Sequence, residues 1–253
     1  MKLAFDHGGD GGDLLVLLHG LGATRCVWTN FIAARRWTGS WIAPDLRGHG
    51  ASAHAADYSL NAHAADVAEL TAAHGAANSV TVLGHSMGGA IGLALASGEF
   101  GFLPARMFGL GIKVAWSADE LAGLRSMAQA TPRIFATKDE AIARYLKVSG
   151  LTGLAPNVSE IALSGIAEVE GGWRLACDPR TASVGQPPME SLMAAARAPV
   201  HLACGEGDTL TNVAQLARYD AAAQSLSGGH NIMMENPAAV WDWLQSKSET
   251  KLT

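Results

Sequence analysis

The chain has 253 residues, 49% of them hydrophobic and 16% charged, with a formal net charge of −5. That length supports one substantial core, alone or with a small appended module, and a negative balance without clustered Lys or Arg offers no footprint to nucleic acid or an acidic membrane. Three widely spaced cysteines, Cys26, Cys177 and Cys204, form no C-x-x-C pair, so neither a disulfide framework nor a metal site is indicated and no cofactor is expected.

The start, MKLAFDHGGDGGD, has one lysine and an apolar patch that breaks at Asp6, which is not the pattern of a signal peptide. No run reaches the roughly 18 apolar residues of a membrane span, and a cytoplasmic location is expected. Lys2–Phe5 reads as a short edge strand and His7–Asp13 as a glycine–aspartate turn. Leu14–Leu18 is a continuous apolar strand of the kind buried on both faces, and it ends in His19-Gly20-Leu21-Gly22. A helix over Val27–Arg35, a buried strand over Ser40–Ala43 and a tight loop, Pro44-Asp45-Leu46-Arg47-Gly48-His49-Gly50, follow. Leu60–His74 reads as a helix with Ala64, Val67, Ala68 and Leu70 towards a sheet. Next come a strand over Val80–Leu83, a helix over Met87–Ala96 and a strand over Met107–Val114. This alternation of apolar strands with helices predicts a mostly parallel α/β sheet. The first strand lacks a G-x-G-x-x-G and the chain lacks a G-K-[ST], so neither nucleotide-binding pattern applies.

From Trp116 to Ala198 the texture changes. Helices are predicted over Asp119–Gln129, Lys138–Val148, Pro156–Leu163 and Met189–Arg197, separated by Pro- and Gly-bearing breaks, with Trp173–Ala176 as the one candidate strand. A helix-rich insertion between two sheet strands reads as a lid. The predicted organisation is a core part over 1–115, a helical lid over 116–198 and a second core part over 199–253. The sheet resumes at Val200–Cys204 and ends in Gly205-Glu206-Gly207-Asp208, with a helix from Thr211 and a last strand over Ala222–Leu226. Gly228-Gly229-His230 follows, Pro237 opens a final helix, and the polar tail Ser246–Thr253 is expected to fray.

The chemistry concentrates around Val80–Ala90, VTVLGHSMGGA. A buried-type strand meets Gly84-His85-Ser86-Met87-Gly88 and runs into a small-residue helix, the strand–turn–helix context in which G-x-S-x-G presents a nucleophile. Ser86 needs a base, and the base needs an acid to fix its tautomer. Asp208 and His230 both follow predicted strands at the same carboxyl edge, in the chain order Ser, Asp, His. Read without chemistry, Asp208 would cap a helix and His230 would be a turn residue; Glu206 and Glu235 are substitute acids. His19 is expected to bond the neighbouring loop backbone, and His85 to point away from the serine hydroxyl. The backbone N–H groups of Leu21 and Met87 are the predicted oxyanion donors.

These pieces, with Trp28, the Asp45–Gly50 loop, Gly89 and Glu235-Asn236-Pro237, make the chain resemble α/β-hydrolase fold proteins of the capped, serine-type subgroup. That subgroup includes carboxylesterases, cofactor-free haloperoxidase-like enzymes and carbon–carbon bond hydrolases. The resemblance implies an α/β-hydrolase fold with helices on both faces and the lid inserted before the strand that precedes the acid. Relatives of haloalkane dehalogenases and epoxide hydrolases carry aspartate where this chain has Ser86, which disfavours their alkyl-enzyme routes. Carbon–carbon hydrolases often show a Ser-Gly-Pro-Gly loop and an aromatic after the histidine, whereas this chain has Gly20-Leu21-Gly22-Ala23 and Asn231.

The expected activity is hydrolysis of a small to medium carboxylic ester through an acyl-enzyme on Ser86, by a monomer or homodimer acting on a small molecule. Alternatives are carbon–carbon cleavage of a vinylogous diketone, lactone, thioester or amide hydrolysis, and a non-enzymatic ligand receptor. Trp28, Met233, Trp116 and Met127 are the predicted substrate contacts, and the lid cations Arg125, Arg133, Arg144 and Lys147 are candidates to meet a substrate carboxylate.

Overall fold

A computed structural model describes residues 1–34, 36–74 and 77–247. Its strands are β1 (Phe5–Gly8), β2 (Asp13–Leu18), β3 (Ser40–Pro44), β4 (Ser79–His85), β5 (Arg106–Leu110), β6 (Ile166–Val169), β7 (Gly172–Leu175), β8 (Val200–Gly205) and β9 (Gln224–Leu226). Seven of them form one sheet in the order β1-β3-β2-β4-β5-β8-β9, parallel throughout except for β1, while β6 and β7 pair as a separate hairpin. The helices are α1 (Thr29–Ala33), α2 (Leu60–Ala73), α3 (Met87–Leu95), α4 (Ala118–Ala128), α5 (Lys138–Val148), α6 (Glu160–Ser164), α7 (Met189–Ala195), α8 (Val213–Leu216), α9 (Ile232–Glu235) and α10 (Pro237–Ser246).

The apolar run of β2 explains the layering. Successive side chains leave a strand on opposite faces, so Leu14, Val16 and Leu18 pack with Val67 of α2 and Ile91 of α3. Leu15 and Leu17 pack on the other side with Phe31 of α1 and with Val240 and Trp241 of α10. Helices therefore cover both faces, and the predicted fold class holds. Among the described residues no helix is long and apolar enough to cross a membrane.

Differences from the expected elements have local causes. β1 lies over Phe5–Gly8 rather than Lys2–Phe5 because it pairs antiparallel with the edge of β3, from Phe5↔Pro44 to Gly8↔Trp41. Such an edge strand stays largely exposed and needs no apolar alternation. The helix expected over Val27–Arg35 splits into a 3₁₀ turn at Arg25–Trp28 and the short α1. The buried Asp45 carboxylate accepts the Arg25 N–H at 2.8 Å and pins the start of that turn. Arg35 itself lies outside the described residues. β5 stops at Leu110 because Gly111 turns to a φ of +63°. The fraying expected of the tail falls on residues 248–253, which are also outside the described set.

Between β5 and β8 the helices start where their sequences cap them. Ser117 with Glu120 and Thr137 with Glu140 form capping boxes at α4 and α5. α6 begins late, at Glu160, because the Ser159 hydroxyl accepts the Ala162 N–H. Strand occurs here as well, in the hairpin β6–β7 and in an antiparallel bridge between Phe135 and Trp173. Phe135, Ile142, Tyr145, Leu146 and Ile161 of this insertion share one apolar cluster with Trp28, Phe31 and Met233, so cap and core are packed together. At the foot of the cap, Asp178 accepts the Tyr58 hydroxyl at 2.7 Å and Arg180 Nη2 at 2.7 Å, and its N–H bonds the Gly48 carbonyl. Asp178→Asn is expected to cost about 1.5–3 kcal/mol in urea unfolding at pH 7, the scale of a lost hydrogen bond to a charged group.

Candidate active site

The turn after β4 is built on close backbone approach. A Cβ on Gly84 would lie 2.2 Å from the Gly88 carbonyl oxygen, and one on Gly88 would lie 2.3 Å from that of Leu18. No other residue type fits either position. Between them Ser86 takes φ 51° and ψ −116° at the N-cap of α3, a strained conformation for a residue with a side chain. Its own N–H bonds the Leu110 carbonyl at 2.8 Å, which ties the elbow to β5.

Asp208 and His230 meet at the carboxyl edge of the sheet: His230 Nδ1 lies 2.9 Å from Asp208 Oδ2. Asp208 has a fully buried side chain, and its other oxygen accepts the N–H groups of Leu210 and Thr211 at 2.8 and 3.4 Å. Burial pushes the Asp208 carboxyl up, but His230 and those two amides outweigh it and hold the group below the usual carboxylate range. A carboxylate on Nδ1 fixes the ring with its proton there and leaves Nε2 as the acceptor. Glu235, a substitute acid by sequence, instead accepts the Gly229 N–H at 2.7 Å and braces the histidine loop. Ser86 and His230 line the same cavity, and among the described residues no Ser86 Oγ–His230 hydrogen bond is formed. Such bonds commonly tighten only when substrate is bound.

His85 carries a role the sequence did not reveal. Its Nε2–H donates to the His230 carbonyl at 2.9 Å and its ring lies 4.6 Å from the His230 ring. Burial, with the neighbouring His230, pushes its pKa down to about 3, so it stays neutral. Gly111, just beyond β5, leaves room for the pair: a Cβ there would sit 3.3 Å from both Asp208 Oδ2 and His230 Cε1.

The loop after β2 is fixed by two histidines. His19 Nδ1–H donates to the Gly20 carbonyl at 2.8 Å while Nε2 accepts the Leu46 N–H at 2.9 Å, the backbone role expected of it. His49 Nε2 accepts the Gly22 N–H at 3.1 Å. Leu21 lies between these anchors and, like Met87, lines the cavity. Met87 is the first residue of α3, and N–H groups at a helix start have no partner within the helix. Asp45 is paired with Arg25 and Arg47 with Asp66, so the charged loop is scaffold.

The cavity over Ser86 measures about 310 Å³ and is walled by Leu21, Met87, Ile112, Trp116, Leu124 and Val148, among others. Two predicted substrate contacts are corrected. Trp28 and Met233 are fully buried in the core and do not line the cavity; Trp28 packs edge-on against Phe31 instead. Trp116 lines the cavity, whereas Met127 lines a second one beside it. Lys113, Ser149, Gly150 and Asn231 also line it and were not foreseen. Asn231 Nδ2 donates to the Gly150 carbonyl at 3.0 Å, joining the histidine loop to the end of α5.

Residues 15–243 match the profile of the alpha/beta hydrolase family. Lipase 1 of Psychrobacter immobilis is 39% identical over 95 residues, covering 36% of this chain and 29% of the lipase. Protein phosphatase methylesterase 1 of Bos taurus is 30% identical over 171 residues, covering 64% of this chain and 43% of the methylesterase. The chain spans between 25% and 43% of the length of such curated relatives. A solved structure of E-2-(acetamidomethylene)succinate hydrolase is similar with a TM-score of 0.78 at 22% identity, over 96% of this chain and 94% of that one, a likeness of fold.

Proposed function

As the chain belongs to the α/β hydrolase family, we propose that it is a serine hydrolase cleaving a small to medium carboxylic ester through an acyl-enzyme on Ser86. The observation that carries the reading is the 2.9 Å His230–Asp208 contact on the cavity that also holds Ser86. The names of two relatives, a lipase and a methylesterase, support ester chemistry. Asn231 in place of an aromatic after the histidine favours it over carbon–carbon cleavage.

In this mechanism His230 Nε2 takes the Ser86 proton as Oγ attacks the ester carbonyl, and Asp208 stabilises the imidazolium that forms. The oxyanion accepts from the N–H groups of Leu21 and Met87, each worth roughly 3 kcal/mol in the transition state. His230 then gives its proton to the leaving alkoxide and activates water against the acyl-enzyme. Its neighbours Asp208, His85 and Glu235 keep the ring and its backbone in place throughout.

A fluorophosphonate probe tests this directly. One equivalent is expected to abolish hydrolysis of p-nitrophenyl butyrate, with the label recovered on the Ser86 peptide by mass spectrometry. Unchanged turnover after exposure, or a label on another residue, would remove Ser86 from the reaction.

A further inference from the structure

Beside the catalytic cavity lies a second one, of about 380 Å³, and Leu21 and Val148 line both. Its walls combine the apolar Met127, Phe135 and Leu175 with the cations Arg133 and Arg144. Lys147, one helical turn from Arg144, lines the catalytic cavity on the other side of Val148. Among the described residues no Asp or Glu lines either cavity, in a chain whose net charge is −5.

These three solvent-exposed cations differ in pairing from Lys113, Arg25, Arg36, Arg47 and Arg180, though not from Arg125, Lys138 and Arg174 of the same insertion. Lys113, also on the catalytic cavity, is neutralised by Glu120 and sits over the Trp116 ring. Arg25, Arg36, Arg47 and Arg180 each hold a carboxylate. Among the described residues Arg133, Arg144 and Lys147 are in no ion pair. The acid one turn before Arg144 is Glu140, and its Oε2 is engaged by the Thr137 N–H in the helix cap. The Arg133 guanidinium carbon lies 4.7 Å from the centre of the Phe135 ring, a cation–π distance. Uncompensated guanidinium forks on an apolar wall suit a carboxylate or phosphate carried on a hydrocarbon chain.

We propose that this second cavity is a subsite for the anionic end of the substrate, so that the enzyme prefers esters whose acyl chain ends in a carboxylate or phosphate. The proposal rests on the serine-hydrolase reading. The ester carbonyl sits at Ser86, the chain passes Leu21 and Val148, and the terminal anion meets Arg133 and Arg144, with Lys147 along the way.

The test compares p-nitrophenyl esters of straight-chain acids with ω-carboxylated and ω-phosphorylated acids of matched length. For the longer members, one anionic series is expected to exceed the neutral one about tenfold in kcat/KM, the scale of one charge-assisted hydrogen bond. Which series does so identifies the anion. The ratio is expected to fall towards one in Arg133→Gln/Arg144→Gln and to be largely kept in Arg133→Lys/Arg144→Lys. Equal rates at every length, or a preference that survives the glutamine pair, would overturn the subsite and leave the hydrolase reading standing. Equilibrium binding of the free ω-carboxylated and ω-phosphorylated acids to Ser86→Ala separates the two ideas from the other side. Arginine-dependent binding with no ester turned over by the unmodified protein would sustain the subsite and defeat the hydrolase reading.

Discussion

Ser86→Ala is expected to lower kcat/KM for p-nitrophenyl butyrate by about 10⁴–10⁶, because loss of the nucleophile leaves only binding and the oxyanion donors to act. The fold should persist, since Oγ supports no other element. Alanine keeps a Cβ at φ 51°, the one positive φ outside glycine among the described residues, so its melting temperature should stay close to that of the parent. Ser86→Gly removes the same hydroxyl and the strain together, and is expected to be equally inactive but about 1 kcal/mol more stable. This pair of variants separates chemistry from folding. A rate within tenfold of the parent in a well-folded Ser86→Ala protein would place the nucleophile elsewhere.

What could be read in advance follows the range of the interactions. β2, β4 and β8 were legible as short apolar runs, and α5 was legible to the residue, because its start is written in Thr137 and Glu140 and its face in Ile142, Tyr145 and Leu146. The elbow was legible as a motif, and Gly84 is demanded locally by the Gly88 carbonyl, whereas Gly88 is demanded by the distant Leu18 carbonyl at the end of β2. The predicted ends of β2, β4 and β8 put Ser86, Asp208 and the Leu21 loop on one sheet edge. Contacts between distant segments were not legible. The His85–His230 carbonyl bond, the Asn231–Gly150 bond and the clearance at Gly111 depend on how far each loop turns after leaving its strand. Trp28 and Met233 show the limit for apolar side chains. Their identity demands burial, and both core and pocket provide it, so only packing against Phe31 and its neighbours assigns them to the core.

Acid should unfold this protein well above the carboxylate range. His19, His63 and His85 are buried without a carboxylate partner, and burial is the main cause that lowers each pKa, to about 3 for His63 and His85. Their folded values lie below the unfolded value of 6.5, so the neutral form that suits the core is at no cost above 6.5. Below it the unfolded chain takes up protons that the folded chain refuses, and stability falls with pH until the folded values are reached. His63 and His85 each contribute a slope of roughly 1.4 kcal/mol per pH unit and together remove about 4 kcal/mol by pH 5, a large part of a typical domain's whole stability, and His19 acts in the same direction. Asp178 and Asp208, also held below their unfolded value of 3.8, add to the loss only beneath that value. His49 acts outside this window: burial lowers it, but Cys177 nearby raises it on balance, so its effect appears as the pH climbs above 6.5. Urea unfolding followed from pH 8 to pH 4 should show a steep decline beginning near pH 6. His63, whose two ring nitrogens are buried and unpartnered, offers the control. His63→Leu removes one proton site and no hydrogen bond, so it should reduce the slope and shift the acid midpoint downward. A stability curve that is flat from pH 7 to pH 5, or a His63→Leu curve parallel to the parent's, would show that these histidines do not govern acid stability.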